Sequence, residues 1–297
     1  MDIIDQPDSQ NNSKSRSIED VLQNGYQFRF GDYLGDMFNL LKPTWAHLLG
    51  QTVLLFAGLL IVELIIVAVF IGGAVATLDP ESIEADPTSF IGKILWAYCI
   101  IGLVLAAFYV PMRAGIQVFL RNGEVKKAYN FGDFFEVFRT RWLKVLGVAL
   151  LIFILSYMWM AIPMYLMFQD MGTMMSSAIN NPDYVPNPFA MFSHMGWMFL
   201  AYIPMLYFLI SFSLAIPLIL FKTDSIGKAL EASLKIVNRK FFHFLAMYFL
   251  VLILTYAGVL ACGVGLLITF NFFPMIIWVI YRDIFGTGTS TESTTNI

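Results

Sequence analysis

Long runs of apolar residues are the feature that most limits what this chain can fold into. They cover Leu48–Val75, Phe90–Pro111, Leu143–Phe168, Trp197–Phe221 and Phe241–Tyr281. Roughly 20 apolar residues in a helix cross the hydrocarbon core of a bilayer, so the first four runs fit one crossing each and the last fits two. Because 58% of the residues are hydrophobic and 13% are charged, a water-soluble domain is excluded. We predict an all-α integral membrane protein with six transmembrane helices.

An amphipathic pattern precedes three stretches of apolar sequence. In the segment FGDFFEVFRTRW, which begins at Phe131, apolar residues recur at helical spacing and charged residues fill the other positions. The spacing returns from Phe30, which also opens with Phe-Gly-Asp, and from Ile226. We predict three hairpins of transmembrane helices, each preceded by a cytoplasmic amphipathic interfacial helix, in a parallel threefold internal repeat. The predicted units cover about residues 30–118, 131–221 and 226–285.

Turn and capping residues indicate where the membrane domain and its first helices end. We predict flexible tails over residues 1–16 and 286–297 around a membrane domain at 17–285. Ser17 and Asp20 predict the start of a short helix, which Gly25 would end. Pro43 is expected to end the first amphipathic helix.

Glycine and proline positions predict the shape of the later spans. Three glycines between Gly258 and Gly265 predict a tight turn between the last two spans, because glycine readily adopts positive φ. Pro111, Pro217 and Pro274 occupy comparable places in the second span of each unit and predict three similar kinks. The alternative is that these prolines affect helix shape alone, because membrane helices tolerate proline for structural reasons.

The distribution of positive charge orients the predicted topology. In the six-span arrangement, all of the 18 Lys and Arg residues except Lys93 lie on one side, and Arg113 and Arg121 mark the end of the second span. The positive-inside rule then places both termini in the cytoplasm of a bacterial inner membrane. The chain lacks the basic tracts that bind nucleic acid, so we expect the lipid bilayer to be its partner and nucleic acid not to be.

Several short segments resemble those of a known group of membrane proteins. They are Val21-Leu22, Asn24-Gly25-Tyr26, Phe30-Gly31-Asp32-Tyr33, Pro111 to Gly115, Arg121-Asn122-Gly123, Phe131 to Phe135, Ala229 to Ser233, Gly263 to Leu267, Pro274 and Tyr281-Arg282. The pattern is similar to that of uncharacterised six-span bacterial membrane proteins of the Bacteroidetes type. That group is related in style to the membrane domain attached to some glycerophosphodiester phosphodiesterases.

The resemblance implies a fold over about residues 18–285, because its motifs are structural rather than chemical. The sequence contains no phosphodiesterase domain, so that activity is not implied. Some members of the group are labelled carotene oxygenases, whose iron site requires four histidines. This chain has three, His47, His194 and His243, so that site is not expected and no cofactor is predicted.

Glu63 is the candidate functional residue inside a predicted span. An ionised carboxylate in the bilayer core costs several kcal/mol unless it is paired or hydrated. Glu63 would therefore serve as a proton or cation site, form an ion pair with Lys93, or stay protonated and donate an interhelical hydrogen bond. We favour a structural role for it.

Two further groups of side chains are candidates for binding. Thioethers are soft ligands that suit Cu(I), but the spacing favours packing by flexible methionines over a metal site. The candidate metal residues are Met171, Met174, Met175, His194 and Met195. Basic residues of the interfacial helices would bind anionic lipid or a cytoplasmic protein, or the helices only brace the hairpins. The candidate interfacial residues are Arg139, Arg141, Lys235, Arg239 and Lys240.

The function these observations favour is binding rather than catalysis. We expect a multi-pass protein that binds lipid or a small amphipathic molecule, or that supports a membrane complex. Transport that uses Glu63 as a proton or cation site is the alternative, and an intramembrane enzyme is third. The sequence contains no GxSxG, Walker A or HExxH motif. Oligomeric state cannot be derived from the sequence.

Overall fold

The computed structural model describes residues 15–77, 87–181, 195–260 and 264–287, which are helical with no strand. Two short 3-10 helices, Phe131–Phe135 and Met158–Met160, accompany the α-helices. The α-helices are α1 (Ile18–Asn24), α2 (Phe30–Thr77), α3 (Pro87–Lys126), α4 (Glu136–Thr140), α5 (Trp142–Tyr157), α6 (Ala161–Asn180), α7 (Met195–Ser211), α8 (Ala215–Phe221), α9 (Ile226–Asn238), α10 (Phe241–Leu260), α11 (Val264–Thr269) and α12 (Phe272–Phe285).

Six stretches of the described residues are long and apolar enough to cross a membrane, which is the number predicted. Their length and composition point to a multi-pass membrane protein. The stretches are Phe30–Ile65, Ile101–Lys126, Trp142–Ala178, Gly196–Phe221, Phe241–Leu260 and Gly265–Phe285.

The chain divides into two compact units. Unit 1 comprises Met1–Leu54, Val110–Val148 and Ile210–Ile297, and unit 2 comprises Leu55–Tyr109 and Ala149–Leu209. These segments alternate along the chain, so each unit is assembled from parts of several helices.

Unit 1 has a core of large aromatic side chains. Phe119 of α3 stacks on Phe134 of the first 3-10 helix, with ring centroids 4.2 Å apart. Trp278 and Tyr281 of α12 are buried and stack at 5.8 Å. Burying each such ring contributes about 1.5–3 kcal/mol relative to leaving it exposed. These contacts hold α3 and α12 in the centre of unit 1.

Unit 2 has a smaller core that uses methionine. Met160, Ala201 and Met205 are buried, and Met198 and Leu209 pack against them. Flexible thioether side chains fill irregular gaps between helices. For these three methionines, the contacts favour packing over metal binding.

The first short helix begins and ends as predicted. The Asp20 amide donates to the Ser17 hydroxyl at the start of α1, and Gly25 caps its end with φ of 71°. Ser15 and Arg16, assigned by prediction to the N-terminal tail, contact the folded part: the Arg16 amide donates to the Phe285 carbonyl and Lys222 donates to the Ser15 hydroxyl. The preceding 14 residues of the predicted tail lie outside the described residues.

The predicted end of a helix at Pro43 is wrong, because α2 continues through it. Proline removes the amide that would pair with the Asn39 carbonyl. The adjacent Thr44 hydroxyl donates to the Leu40 carbonyl at 2.5 Å, which is not the carbonyl that the proline frees, and membrane helices tolerate proline for structural reasons. The first amphipathic segment is therefore continuous with the span that follows.

The other two predicted interfacial helices differ from each other in form. The segment at Phe131 forms a 3-10 helix followed by the five-residue α4, whereas the segment at Ile226 forms the single helix α9. Ser225 caps α9 by accepting a hydrogen bond from the Lys228 amide. The sequence pattern thus predicts helical structure in both places but a regular helix in one.

Of the turn predicted at Gly258 to Gly265, both ends are helical, whereas residues 261–263, with the third glycine, lie outside the described residues. Gly258 lies in α10 and Gly265 in α11, neither with positive φ. A Cβ on Gly258 would lie 2.2 Å from the Thr269 hydroxyl oxygen. Glycine there allows α10 and α11 to pack closely, and the Thr269 hydroxyl donates to the Thr255 carbonyl at 3.0 Å.

Candidate functional site

Unit 2 contains an apolar groove between α6 and α7. Its volume is about 710 Å³, which lies within the range of small-molecule sites, roughly 300–1,000 Å³. Apolar and aromatic side chains line it throughout. They are Trp159, Ile162, Pro163, Leu166, Trp197, Leu200, Ala201, Ile203 and Pro204.

Interruptions in regular helix give this groove its shape. The 3-10 helix Met158–Met160 separates α5 from α6, and Pro163 is the third residue of α6. Trp159 stacks on Phe208 of α7, with ring centroids 6.3 Å apart. Pro204 lies inside α7, where it lacks an amide donor. The lining residues belong to Trp142–Ala178 and Gly196–Phe221, two stretches apolar enough to cross a membrane. A ligand with hydrocarbon character therefore fits the groove.

Glu63 lies on an apolar face of α2 in unit 2. Its side chain is exposed, and so are those of the neighbouring Leu60 and Leu64. Lys93 lies in α3, but its side chain is outside the described part of the structure. The predicted Glu63–Lys93 ion pair therefore stays a prediction.

The candidate copper residues are described only in part. Met171 and Met174 lie on α6, and Met171 is exposed. His194 lies outside the described residues, as do the side chains of Met175 and Met195. Within the described ranges, no group of His, Cys, Asp and Glu side chains is placed to hold a metal ion. The copper site therefore remains an untested prediction.

Three of the five predicted interfacial cations have hydrogen-bond or ion-pair partners within unit 1. Arg141 donates to the Ile219 carbonyl at 2.6 Å and pairs with Asp224 at 3.0 Å. Arg239 donates to two carbonyls of α1. Lys235 pairs with a carboxylate one turn away on α9.

Arg139 and Lys240 are exposed. They are the members of the predicted set that remain open to an external anion.

Asp224 holds two basic residues beside the start of α9. Lys144 donates to its carboxylate at 2.8 Å, and Arg141 shares the same oxygen. The hydrogen bond from Lys144, followed by the charge of Arg141, lowers the pKa of Asp224 below its usual value. Arg141 thus acts as an internal brace in unit 1.

The three predicted kink prolines have two different settings. Pro111 lies inside the continuous helix α3. Pro217 and Pro274 are each the third residue of a helix, α8 and α12, that restarts after a short break in the chain's helical path. Proline is tolerated in the first turn of a helix because the amide it lacks has no intrahelical partner there.

Arg113 stabilises the break before Pro274. The Phe270 carbonyl, four residues before that proline, accepts a hydrogen bond from the Arg113 guanidinium at 2.8 Å. The guanidinium also donates to the Asn271 side-chain oxygen at 3.0 Å and lies 4.2 Å from the centre of the Phe270 ring. An arginine within the apolar stretch Ile101–Lys126 is thereby matched with the carbonyl that proline frees.

Asn271 connects this break to α2. It is fully buried, and its amide nitrogen donates to the Thr52 hydroxyl at 2.7 Å. Because the Asn271 oxygen accepts from Arg113, one side chain joins α2, α3 and the break. This contact site in unit 1 was not predicted.

A charged network lies farther along α3 and α12. Arg282 pairs with both Glu124 and Asp36, and the Trp278 indole donates to Glu124 at 3.1 Å. Tyr33 of α2 donates to Asp283 at 2.8 Å. These pairs place three helices of unit 1 in a fixed register.

Sequence reasoning missed Arg113 because it assigned this residue to the side on which the second span ends. Helix α3 continues to Lys126, and the side of the membrane assigned to Arg113 stays a prediction. The sequence does contain a signal for this contact. A cation within an apolar stretch needs hydrogen-bond acceptors, and a proline in another span leaves one backbone carbonyl free to accept. The pairing of the two cannot be read from spacing along one helix.

The fold and the apolar composition together define a multi-pass, all-α membrane protein, and its unit 2 contains an apolar groove. Comparisons with protein-family models, curated proteins and solved structures find no match for this chain.

Proposed function

We propose that this protein binds the hydrocarbon part of a membrane lipid in the groove between α6 and α7. The observation that carries the proposal is the groove, about 710 Å³ in volume and lined by apolar side chains. Trp159 and Trp197 supply large apolar surfaces there, and Ala201 leaves space between them. Burial of apolar surface favours a ligand of this class without a specific polar contact.

The proposal assigns binding rather than catalysis to this groove. Catalysis needs a nucleophile or an acid–base group within reach of the reacting atom. The lining side chains, which include Pro163, Leu166 and Ile203, provide neither. A lipid-binding or complex-supporting role in a bacterial inner membrane fits the composition and the three proposed hairpin repeats.

The groove is tested by filling it. The Leu200→Trp substitution adds volume at a side chain that lines the groove and is 56% exposed, so it interferes little with the core. Native mass spectrometry of the full chain, released from mild detergent, would count bound lipid. We expect the wild type to retain lipid and Leu200→Trp to lose most of it.

The matched control is Leu206→Trp, on the same helix and outside the groove lining, with 41% exposure. It should retain lipid like the wild type. Equal retention by all three proteins would contradict the proposal. Melting temperatures of the three proteins would establish that a loss of lipid does not reflect unfolding.

Transport is the second candidate, and the exposed carboxyl group of Glu63 favours it. An ionised carboxyl group among the exposed apolar side chains of α2 has a high free-energy cost in the bilayer core unless it is paired or hydrated. A hydrated path for protons or cations would meet that requirement. The Glu63→Gln substitution keeps the shape and removes the charge. Loss of proton-coupled uptake in proteoliposomes at unchanged stability would support transport, whereas an equal loss of folded protein would indicate a structural carboxyl.

We also propose that the interfacial helices bind anionic lipid or a cytoplasmic protein. Arg139 and Lys240 are exposed in unit 1, which suits contact with anionic lipid or with a cytoplasmic protein. The bias of Lys and Arg toward one side of the predicted spans supports the proposed location of both termini in the cytoplasm.

A further inference from the structure

Arg121 and Lys222 form a pair of half-buried cations in unit 1. Arg121 belongs to α3, and its guanidinium lies 4.9 Å from the centre of the Phe221 ring. Lys222 follows directly after α8, and its ammonium lies 5.7 Å from the centre of the Phe285 ring. Both cations therefore rest against aromatic rings.

The hydrogen-bond partners of this pair are neutral. Lys222 donates to the Ser15 hydroxyl at 2.6 Å and to the Arg16 carbonyl at 2.7 Å. Within the described residues, the Arg121 guanidinium has no hydrogen-bond acceptor. Glu124, one turn along α3, is engaged by Arg282 and Trp278 instead.

Several other arginines of the same unit have a carboxylate partner, which Arg121 lacks among the described residues. Arg29, Arg141 and Arg282 each pair with at least one carboxylate. A half-buried cation without a counter-charge is unfavourable, because burial removes water without replacing it.

The two cations also affect each other. Burial, together with the positive charge of Arg121, lowers the pKa of Lys222 below its usual value. The like charges are thus close enough to repel, and a bound anion would relieve that repulsion.

The position of the pair indicates which anion. Lys222 lies one residue beyond the membrane-spanning stretch that ends at Phe221, and Arg121 lies near the end of another that ends at Lys126. Lipid headgroups occupy the zone at the ends of spans. Basic pockets between membrane helices bind phosphate-bearing headgroups, and the arginine fork binds two phosphate oxygens at once.

We propose that Arg121 and Lys222 bind a phosphate group, carried by a lipid headgroup or free in solution. Arg121 supplies a bidentate contact and Lys222 a point charge whose third hydrogen completes the site. The site is separate from the groove of unit 2 and does not depend on the groove proposal. It also differs from the predicted set of interfacial cations, in which Arg141 and Arg239 have internal partners.

The test measures melting temperature of the full chain in detergent while a probe is titrated. The probes are inorganic phosphate, phosphatidylglycerol in mixed micelles, and diacylglycerol, which lacks phosphate. We expect the melting temperature to rise and reach a plateau as phosphatidylglycerol is added, and not to rise with diacylglycerol. A matching rise with inorganic phosphate, in competition with the lipid, would identify free phosphate as a source, and its absence would identify the headgroup.

Variants then locate the site. Arg121→Gln and Lys222→Gln should each raise the probe concentration at half-maximal response by about tenfold or more, since each loses a hydrogen bond to a charged group. Lys42→Gln and Lys126→Gln remove exposed cations of the same unit and should respond like the wild type. Because Lys222 also holds the N-terminal segment, Arg121→Gln alone decides if Lys222→Gln does not fold.

Two results would overturn the proposal. One is the absence of any response of the wild type to phosphatidylglycerol and inorganic phosphate. The other is an Arg121→Gln variant that reaches half of its response at the same probe concentration as the wild type. Failure of the groove proposal would leave this result unaffected, because the Leu200→Trp variant leaves both cations in place.

Discussion

Buried polar side chains sit where the helices of unit 1 are interrupted. Asn271 bonds to Arg113 and Thr52 beside the break before α12. Ser233 does the same before α8: its hydroxyl donates to the Ser211 carbonyl at 2.8 Å and accepts from the Leu214 amide at 3.1 Å. The two bonds of Ser233, and the bond from Arg113 to the Phe270 carbonyl, satisfy backbone groups that a continuous helix would have paired internally. Residues that look out of place in an apolar span are therefore part of its backbone hydrogen bonding.

Replacing Asn271 tests this role. The Asn271→Leu change keeps the volume roughly constant but removes the acceptor for Arg113 and the donor to Thr52. We expect the free energy of unfolding to fall by about 1–3 kcal/mol, because buried partners lose their bonds. Unfolding by denaturing detergent, followed by circular dichroism, provides the measurement.

The control for this prediction is Asn180→Leu, at an exposed asparagine near the end of α6. Exposed substitutions usually change stability by no more than about 0.5 kcal/mol. If the two variants were equally stable, the bonds of Asn271 would have no net stabilising effect.

At the scale of elements, α3 is packed against its neighbours by glycine. A Cβ on Gly115 would lie 2.1 Å from the Phe134 carbonyl oxygen, which belongs to backbone. Such an atom cannot rotate away, so the whole 3-10 helix at Phe131–Phe135 would have to move. On the same helix, no atom of the described residues lies within 4 Å of a Cβ added to Gly102.

The two glycines give opposite predictions for the same substitution. Gly102→Ala should leave stability unchanged or raise it by about 0.5–1 kcal/mol, because alanine favours helix. Gly115→Ala should destabilise by about 1–3 kcal/mol through overpacking. Melting temperatures in detergent measure both, and a Gly115→Ala variant as stable as Gly102→Ala would mean that the contact with Phe134 relaxes freely.

The elements that could be predicted are those that depend on local sequence. The number of spans follows from the length of apolar runs, and α1 follows from the Ser17 cap and Gly25. The partner of Arg113 could not be predicted, because Phe270 lies in another span and periodicity describes one helix at a time. Pro43 was misjudged for a related reason: whether a proline ends a helix depends on which neighbours satisfy the freed carbonyl. The groove was likewise missed, since α6 and α7 meet only in three dimensions.

At the scale of the whole molecule, the charges have two distinct roles. Many cations of unit 1, including Arg282 and Arg29, are bonded to carboxylates within it. The same cations follow the sequence bias that predicts both termini in the cytoplasm. A residue can therefore contribute to orientation during insertion and to packing afterwards, so the internal bonds do not weaken the topology prediction.

Orientation is tested by cysteine labelling in a background with Cys99→Ala and Cys262→Ala. Gly227→Cys introduces a thiol on α9, where no atom of the described residues lies within 4 Å of an added Cβ. Asn180→Cys introduces one at the exposed end of α6. Because the predicted topology places these positions on opposite sides, a membrane-impermeant maleimide should label Asn180→Cys in spheroplasts. It should label Gly227→Cys only after permeabilisation. The reversed pattern would invert the orientation, and labelling of both from outside would contradict the single crossing between them.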